Sequence, residues 1–178
     1  MNQLDLFLSE KTKIDQSIKD ISDVPIYFGD KGQRRKDLNR TSDFIKRLRR
    51  GKYTVYSTGG THLLPKYEGR EDFPYLVNND TDKVLRPSFS RAVYPCYRLY
   101  DDDRQGCSIY CHRIFGMAFV YNDLPFDNYN LDHINEDKLD YAIDNLHWVS
   151  VSDNMKSIKN RASSKNSKFK IYSSENYV

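Results

Sequence analysis

Cysteine is scarce in this chain, and its placement excludes two classes of small protein. The sequence holds only Cys96, Cys107 and Cys111, an odd number with no Cys-x-x-Cys pair. That pattern argues against a disulfide framework and against a four-cysteine zinc site, so no structural zinc is expected. The same usage points to a reducing compartment, the cytoplasm. Long apolar runs are missing too. Nothing approaches the roughly 20 apolar residues that a helical bilayer span needs, mean hydropathy is −0.78, and no membrane partner is expected. The first residues, MNQLDLFLSEKTK, lack the basic start and apolar block of a secretory signal. With 178 residues, 38% hydrophobic and 30% charged, the chain suits one domain of modest core with extensions, or two very small domains.

What the chain does have is charge, sorted along its length. Residues 1–30 carry three basic against six acidic side chains, and residues 31–52 carry ten against two. Residues 53–104 are nearly balanced, at seven against eight. Residues 105–155 carry two against eight, and residues 156–178 six against one. An acidic centre between two basic blocks fits a protein whose arms hold a polyanion while its centre gathers cations.

Residues 1–30 show a weak helical period over about 5–22 and read as a peripheral helix or a docking segment for a protein partner. Residues 31–52 read as a basic helix, with Thr41-Ser42-Asp43 able to cap a second turn, Phe44, Ile45 and Leu48 as an apolar stripe, and Gly51 as a stop. Its charge exceeds what solubility requires. Arg34, Arg35, Lys36, Arg40, Lys46, Arg47, Arg49 and Arg50 are candidate nucleic-acid contacts, joined by Lys156, Lys159, Arg161 and Lys165 beyond the acidic centre.

From Tyr53 the texture changes to short β-prone runs, YTVYST, FPYLV and KVLRPSF, split by Gly, Pro and Asn-Asn-Asp turn signals. His62, alone in a Gly/Thr loop, reads as a surface or turn histidine. VYPCYRLY and CSIYCHR flank DDDRQG and predict a β-hairpin. Cys107 and Cys111 then share one face of its second strand as small buried thiols. HRIFGMAFV follows with helical spacing.

The chemistry is concentrated in residues 131–158. LDHI predicts a strand, NEDKLDYAID a polar loop, and LHWVS a second strand with Leu146, Trp148 and Val149 as core candidates. Ser150 and Asp153 fit a capping box that starts a helix. Asn154 lies in its first turn, and Met155 and Ile158 turn inward. Asp132, His133, Asn145 and Asn154 thus come from the first strand, the loop end and the helix start. Neighbours on a strand point to opposite faces, so Asp132 and His133 share a site only if the strand ends or bulges there.

The Asp-His pair, an Asn twelve residues after the His and a second Asn nine residues later resemble the HNH endonucleases, specifically the phage and intron-encoded homing type. HRIFGMAF, DHINEDK and IDNLHWVS followed by SDNM fit that resemblance, which covers roughly residues 74–158. It implies an α+β fold: a small β-hairpin module followed by a ββα-metal nuclease unit, with a basic N-terminal helix and a basic C-terminal tail. The corresponding divisions are 1–52, 53–110, 111–158 and 159–178. It also implies a phosphodiester hydrolase acting on double-stranded DNA, nicking one strand per encounter, as a phage protein in a host cytoplasm would. Asp132 and Asn154 would hold a divalent metal, Mg²⁺ or alternatively Mn²⁺, and His133 would be the general base. Asn145 completes the catalytic set by tying the loop so that a backbone carbonyl orients the imidazole. His112 also matches a family position, with a packing or hydrogen-bonding role beside the site. Where the family often has Asn-Asn or Asp-Asn, this chain has Asp140-Tyr141, a departure expected to loosen the loop. The alternative is a non-catalytic nucleic-acid-binding or assembly protein that keeps the HNH fold as a scaffold. An RNA-directed protein is a third reading.

Overall fold

Alternation of buried and half-exposed residues along Tyr53–Val55–Ser57 makes that run a strand with one face in the core. A computed structural model of the chain describes residues 18–24, 35–89, 94–121, 129–150 and 152–156, without the side chains of 35–40 and 129. A four-stranded antiparallel sheet runs in the order β1 (Ile18–Asp20), β2 (Tyr53–Gly60), β3 (Phe73–Asn78) and β4 (Lys83–Val84). The predicted hairpin is present as β5 (Cys96–Tyr100) and β6 (Gly106–Tyr110), paired from Cys96 opposite Tyr110 to Tyr100 opposite Gly106. Helix α1 is Arg35–Arg47 and helix α2 is Cys111–Phe119. A second hairpin, β7 (Tyr129–His133) with β8 (Leu146–Ser150), leads through residue 151 into a one-turn helix α3 at 152–156. Mixed helices and small antiparallel sheets make the fold α+β.

Several expectations need correcting. The helical reading of 5–22 fails where it can be checked, because 18–20 is β1 and 21–23 a single 3₁₀ turn capped by Asp20, whose Oδ1 accepts from Ser22 N at 2.9 Å. Three residues of edge strand carry too little pattern to override a weak helical period. Residues 1–17 lie outside the described residues, as do 25–34 and 157–178. Thr41-Ser42-Asp43 does not cap a new turn: α1 runs through it unbroken. Phe44, Ile45 and Leu48 are buried as expected. Cys111 is the first residue of α2 rather than part of β6, so it and Cys107 do not share a strand face, although both are buried. Met155 is exposed instead of turned inward.

One apolar core runs through all of these pieces. Val55, Phe73 and Leu76 of the four-stranded sheet meet Tyr97 and Ile109 of the first hairpin, Ile114 and Phe115 of α2, and Tyr141 and Leu146 beside β8. Helix α2 approaches β7 closely at Gly116, where an added Cβ would lie 2.1 Å from Leu131 Cδ2. The glycine is there because the helix and the strand touch.

Candidate active site

Strand β7 ends on the residue of interest. Pairing with β8 is regular to the last position, with Asp132 opposite His147 and His133 opposite Leu146. No bulge intervenes. The chain turns immediately afterwards: Glu136 N–H donates to His133 O at 3.0 Å, and Glu136 adopts a left-handed φ of 62°. The strand therefore ends at His133. Asp132 is half-buried; His133 is buried, and its Nε2 has no hydrogen-bond partner. Burial lowers the His133 pKa, against the opposing pull of Asp132, Asp140 and Asp137, so the ring is held neutral.

Around that ring stands an aromatic group. His112, from the first turn of α2, meets His133 edge-on at a centroid separation of 5.1 Å. Tyr94 stacks on His133 at 5.7 Å and lies 4.6 Å from His112. Nδ1 of His112 is also buried without a partner, and burial holds this imidazole well below its ordinary pKa. His112 thus packs directly against His133. Arg113 and Lys138, the two cations of the acidic centre, sit over Tyr110 and Tyr94 at 5.2 and 5.4 Å.

The loop after His133 is fastened by Asn145. Its Nδ2 donates to Asn135 Oδ1 at 2.9 Å and to the Asp140 carbonyl at 2.8 Å, while its Oδ1 accepts from Asn135 N at 3.0 Å. Its own carbonyl accepts from Ile134 N at 2.9 Å. A buried carboxamide with every polar group engaged is a rigid brace. Asn154 is half-buried in α3, behind a formed cap: Asp153 N donates to Ser150 Oγ at 3.0 Å, and Ser150 Oγ donates to Asp153 Oδ2 at 2.7 Å. Trp148 anchors β8 through Nε1 to Val120 O at 3.1 Å. His147 is half-buried opposite Asp132.

Two expectations about the surroundings are overturned. Asp140-Tyr141 does not loosen the loop. Asp140 is buried and accepts from Arg70 Nη1 at 3.0 Å and from Asn135 Nδ2 at 2.9 Å, and Tyr141 fills core space against Phe73 and Phe115. His62 is not a surface histidine. It is buried, with Nε2 2.9 Å from Leu139 O and Nδ1 accepting from Leu64 N at 3.1 Å. These bonds fix Nε2 as the protonated nitrogen.

The family model of the HNH endonucleases matches residues 110–156. Residues 110–156 are thus similar to the HNH endonucleases. An uncharacterized HNH endonuclease, L247 of Acanthamoeba polyphaga mimivirus, is 36% identical over 85 residues, which are 47% of this chain and 21% of that protein. The chain thus spans about a fifth of the length of that relative. A solved structure titled "DNA binding and cleavage by the HNH homing endonuclease I-HmuI" overlaps 67% of this chain and 60% of its own, at 19% identity and a TM-score of 0.48.

Of the expected metal ligands, Asp132 lies on β7 and Asn154 in α3. Both are hard oxygen donors, the type that Mg²⁺ prefers. Among the described residues no group of three or more His, Cys, Asp or Glu side chains could hold a metal by itself. No helix among them is long and apolar enough to cross a membrane.

The basic residues divide differently. Arg35, Lys36 and Arg40 lie on α1, while Arg34, Lys159, Arg161 and Lys165 fall outside the described residues. Arg47 lies 3.8 Å from Asp101, Arg49 is paired with Asp80 and Asp102, Arg50 with Asp23 at 3.0 Å, and Lys156 with Asp153 at 2.9 Å. Much of the charge counted along the sequence is matched in space. Lys46 falls in the last turn of α1.

Proposed function

We propose that the chain is a metal-dependent DNA endonuclease that nicks one strand by hydrolysing a phosphodiester bond. One observation carries this reading: in a stretch matching the HNH family model, the His that ends β7 has a buried, partnerless Nε2 and is followed by a loop braced by Asn145. His133 takes a proton at Nε2 from the attacking water, whose oxygen joins phosphorus as the bond to the 3′ oxygen breaks, leaving a 3′ hydroxyl and a 5′ phosphate. Asp132 and Asn154 would hold a divalent cation, Mg²⁺ or Mn²⁺, through hard oxygen donors. Such a cation, when bound, supplies charge stabilisation to the phosphate and the leaving oxygen. Asn145 keeps the loop, and hence the base, in place. Arg113 and Lys138, beside the aromatic group, are placed to meet phosphate, and Lys46 and the remaining basic residues extend the contact.

Cleavage of supercoiled plasmid in Mg²⁺ tests the reading. Nicked circles should accumulate before linear product, and His133→Ala and Asp132→Ala should each abolish them. If both variants cut as well as the parent, the mechanism is wrong.

A second reading has an observation of its own. His133 Nε2 is closed to solvent, as it would be in a DNA-binding scaffold that has no use for a base. Calorimetry with Mn²⁺ separates the two: the nuclease binds the ion and loses it on Asp132→Ala, whereas the scaffold gives no heat. Affinity for duplex DNA against duplex RNA at matched salt decides the polymer.

A further inference from the structure

The loop that follows the proposed base is held from outside the HNH unit. Four side chains of one short segment, residues 62–70, reach across to it. His62 Nε2 donates to Leu139 O at 2.9 Å. Lys66 Nζ and Tyr67 Oη both donate to Asp137 Oδ2 at 2.6 Å. Arg70 donates to Asp140.

Arg70 is the most constrained of the four. Asp72 takes its Nε at 2.9 Å and its Nη2 at 2.6 Å, a two-bond grip that fixes the plane of the guanidinium. The ring of Phe73 lies beneath it at 4.6 Å. What remains is Nη1, which points to Asp140 Oδ2 at 3.0 Å. That same oxygen accepts from Asn135 Nδ2 at 2.9 Å. Asn135 in turn exchanges hydrogen bonds with Asn145. From Arg70 to the residue next but one after His133, the chain of contacts is therefore Arg70, Asp140, Asn135, with Asn145 closing it. Asp140 is buried, and a buried carboxylate without its cation is strongly destabilising to its surroundings.

We propose that Arg70 is a positioning residue for the nuclease reaction: it fixes the loop that aims His133, acting through Asp140 and Asn135. The inference rests on the nuclease reading above. It makes the N-terminal β module part of the active site's support as well as a neighbour in the core. It also explains how this chain uses an acidic residue at 140.

The experiment compares the parent with Arg70→Ala, Arg70→Lys, Asp140→Asn and the Arg70→Ala/Asp140→Asn double variant, all in the full chain. Three quantities are read: single-turnover cleavage of duplex DNA in Mg²⁺, duplex affinity in EDTA, and amide hydrogen exchange. Arg70→Ala should slow cleavage about tenfold or more, the scale seen when an outer-shell support is removed, with affinity nearly unchanged. The amides of Ile134 and Asn135 should exchange faster while those of β2 and β3 keep their protection. In the Asp140→Asn background Arg70→Ala should have little further effect, because the group it serves is gone. Arg70→Lys covers the case in which the alanine variant does not fold. A single ammonium cannot reproduce the fork that grips Asp72 and reaches Asp140 together, so this variant should show the same loop-specific change in smaller measure. Unchanged exchange at Ile134 and Asn135 overturns the proposal. So does a loss of affinity as large as the loss of cleavage, which would make Arg70 a DNA contact. If the parent itself does not cut, the nuclease reading fails, and the proposed aiming of a catalytic base fails with it. The exchange data then still distinguish a loop supported by Arg70 from one that is not.

Discussion

Replacing Gly116 by Ala sets two effects of opposite sign against each other. In a helix interior, Gly→Ala normally stabilises by about 1 kcal/mol, because glycine carries the larger backbone entropy. Here the new methyl would lie 2.1 Å from Leu131 Cδ2, 2.8 Å from Cδ1 and 2.9 Å from Cγ. The last distance decides the matter: turning the Leu131 side chain about its Cβ–Cγ bond moves the two methyls but leaves Cγ where it is. Either Leu131 must leave its Cα–Cβ rotamer, or helix α2 and strand β7 must separate. Overpacking of this kind costs about 1–3 kcal/mol, and with Cγ involved the upper end applies. The net loss is then about 2 kcal/mol, or a fall of about 4–8 °C in melting temperature for a chain of this size. In a Leu131→Ala background the obstruction is gone, and the same Gly116→Ala change should raise the melting point. Thermal denaturation of the four proteins checks this inversion of sign. A stabilising Gly116→Ala in the parent, or an effect of the same direction in both backgrounds, refutes the reasoning. Leu131 lies two residues before His133 on the same strand, so cleavage by Gly116→Ala should fall even below its melting temperature.

Acid should weaken the fold before the carboxylates titrate. Burial lowers the pKa of His62 and of His112, so below about 6.5 the unfolded chain binds protons that the folded chain refuses. Stability is full above that pH and declines as pH falls towards the lowered values, which melting curves from pH 8 to 5 would show; a flat profile would contradict the burial argument. Asp137 acts later: burial raises its pKa, but the hydrogen bonds from Lys66 and Tyr67 outweigh this and bring it to about 2, so its contribution is lost only as pH falls through that value. The thiols give an independent check on packing. Cys107 and Cys111 are buried, Cys111 with its pKa pushed well up by burial, whereas Cys96 is half-buried. An aromatic disulfide reagent at pH 8 should therefore modify at most Cys96 in the native protein and all three thiols in denaturant. Equal labelling of all three without denaturant would mean that the hairpin and α2 are not packed as described.

The parts of the fold legible in the sequence were those whose partners are near in the chain. The hairpin at 96–110 announces itself through its polar turn, and the order strand, loop, strand, helix at 129–156 through its alternation and its Ser150–Asp153 cap. Asp132, His133 and Asn145 could be singled out because they occupy fixed offsets on that local unit. What stayed hidden depends on distant contacts. His62 reads as a turn residue until Leu139, Phe73 and Tyr141 close around it. Arg70 has no local feature apart from Asp72, and Asp140-Tyr141 looked like a defect because its two supports come from about 70 residues upstream. One signal was available: an acidic residue within a loop that must be rigid requires a cation, and the sequence between 105 and 155 offers few.

The same tertiary pairing revises how the charge pattern bears on function. Read along the chain, residues 31–52 form a strongly cationic arm and residues 105–155 an acidic centre able to collect metal. In space, Arg47, Arg49, Arg50 and Lys52 face Asp101, Asp80, Asp102 and Asp23. Asp137 and Asp140 are bound by Lys66, Tyr67 and Arg70. Exposed pairs of this kind add little stability individually, but each one lowers the charge that a polyanion or a metal ion meets. The acidic loop is therefore chiefly a structural device: its carboxylates take up donors from the β module, and the loop that follows His133 gains its fixed shape from them. Electrostatic attraction by net charge then matters less to this site than the rigidity of the few groups at the end of β7.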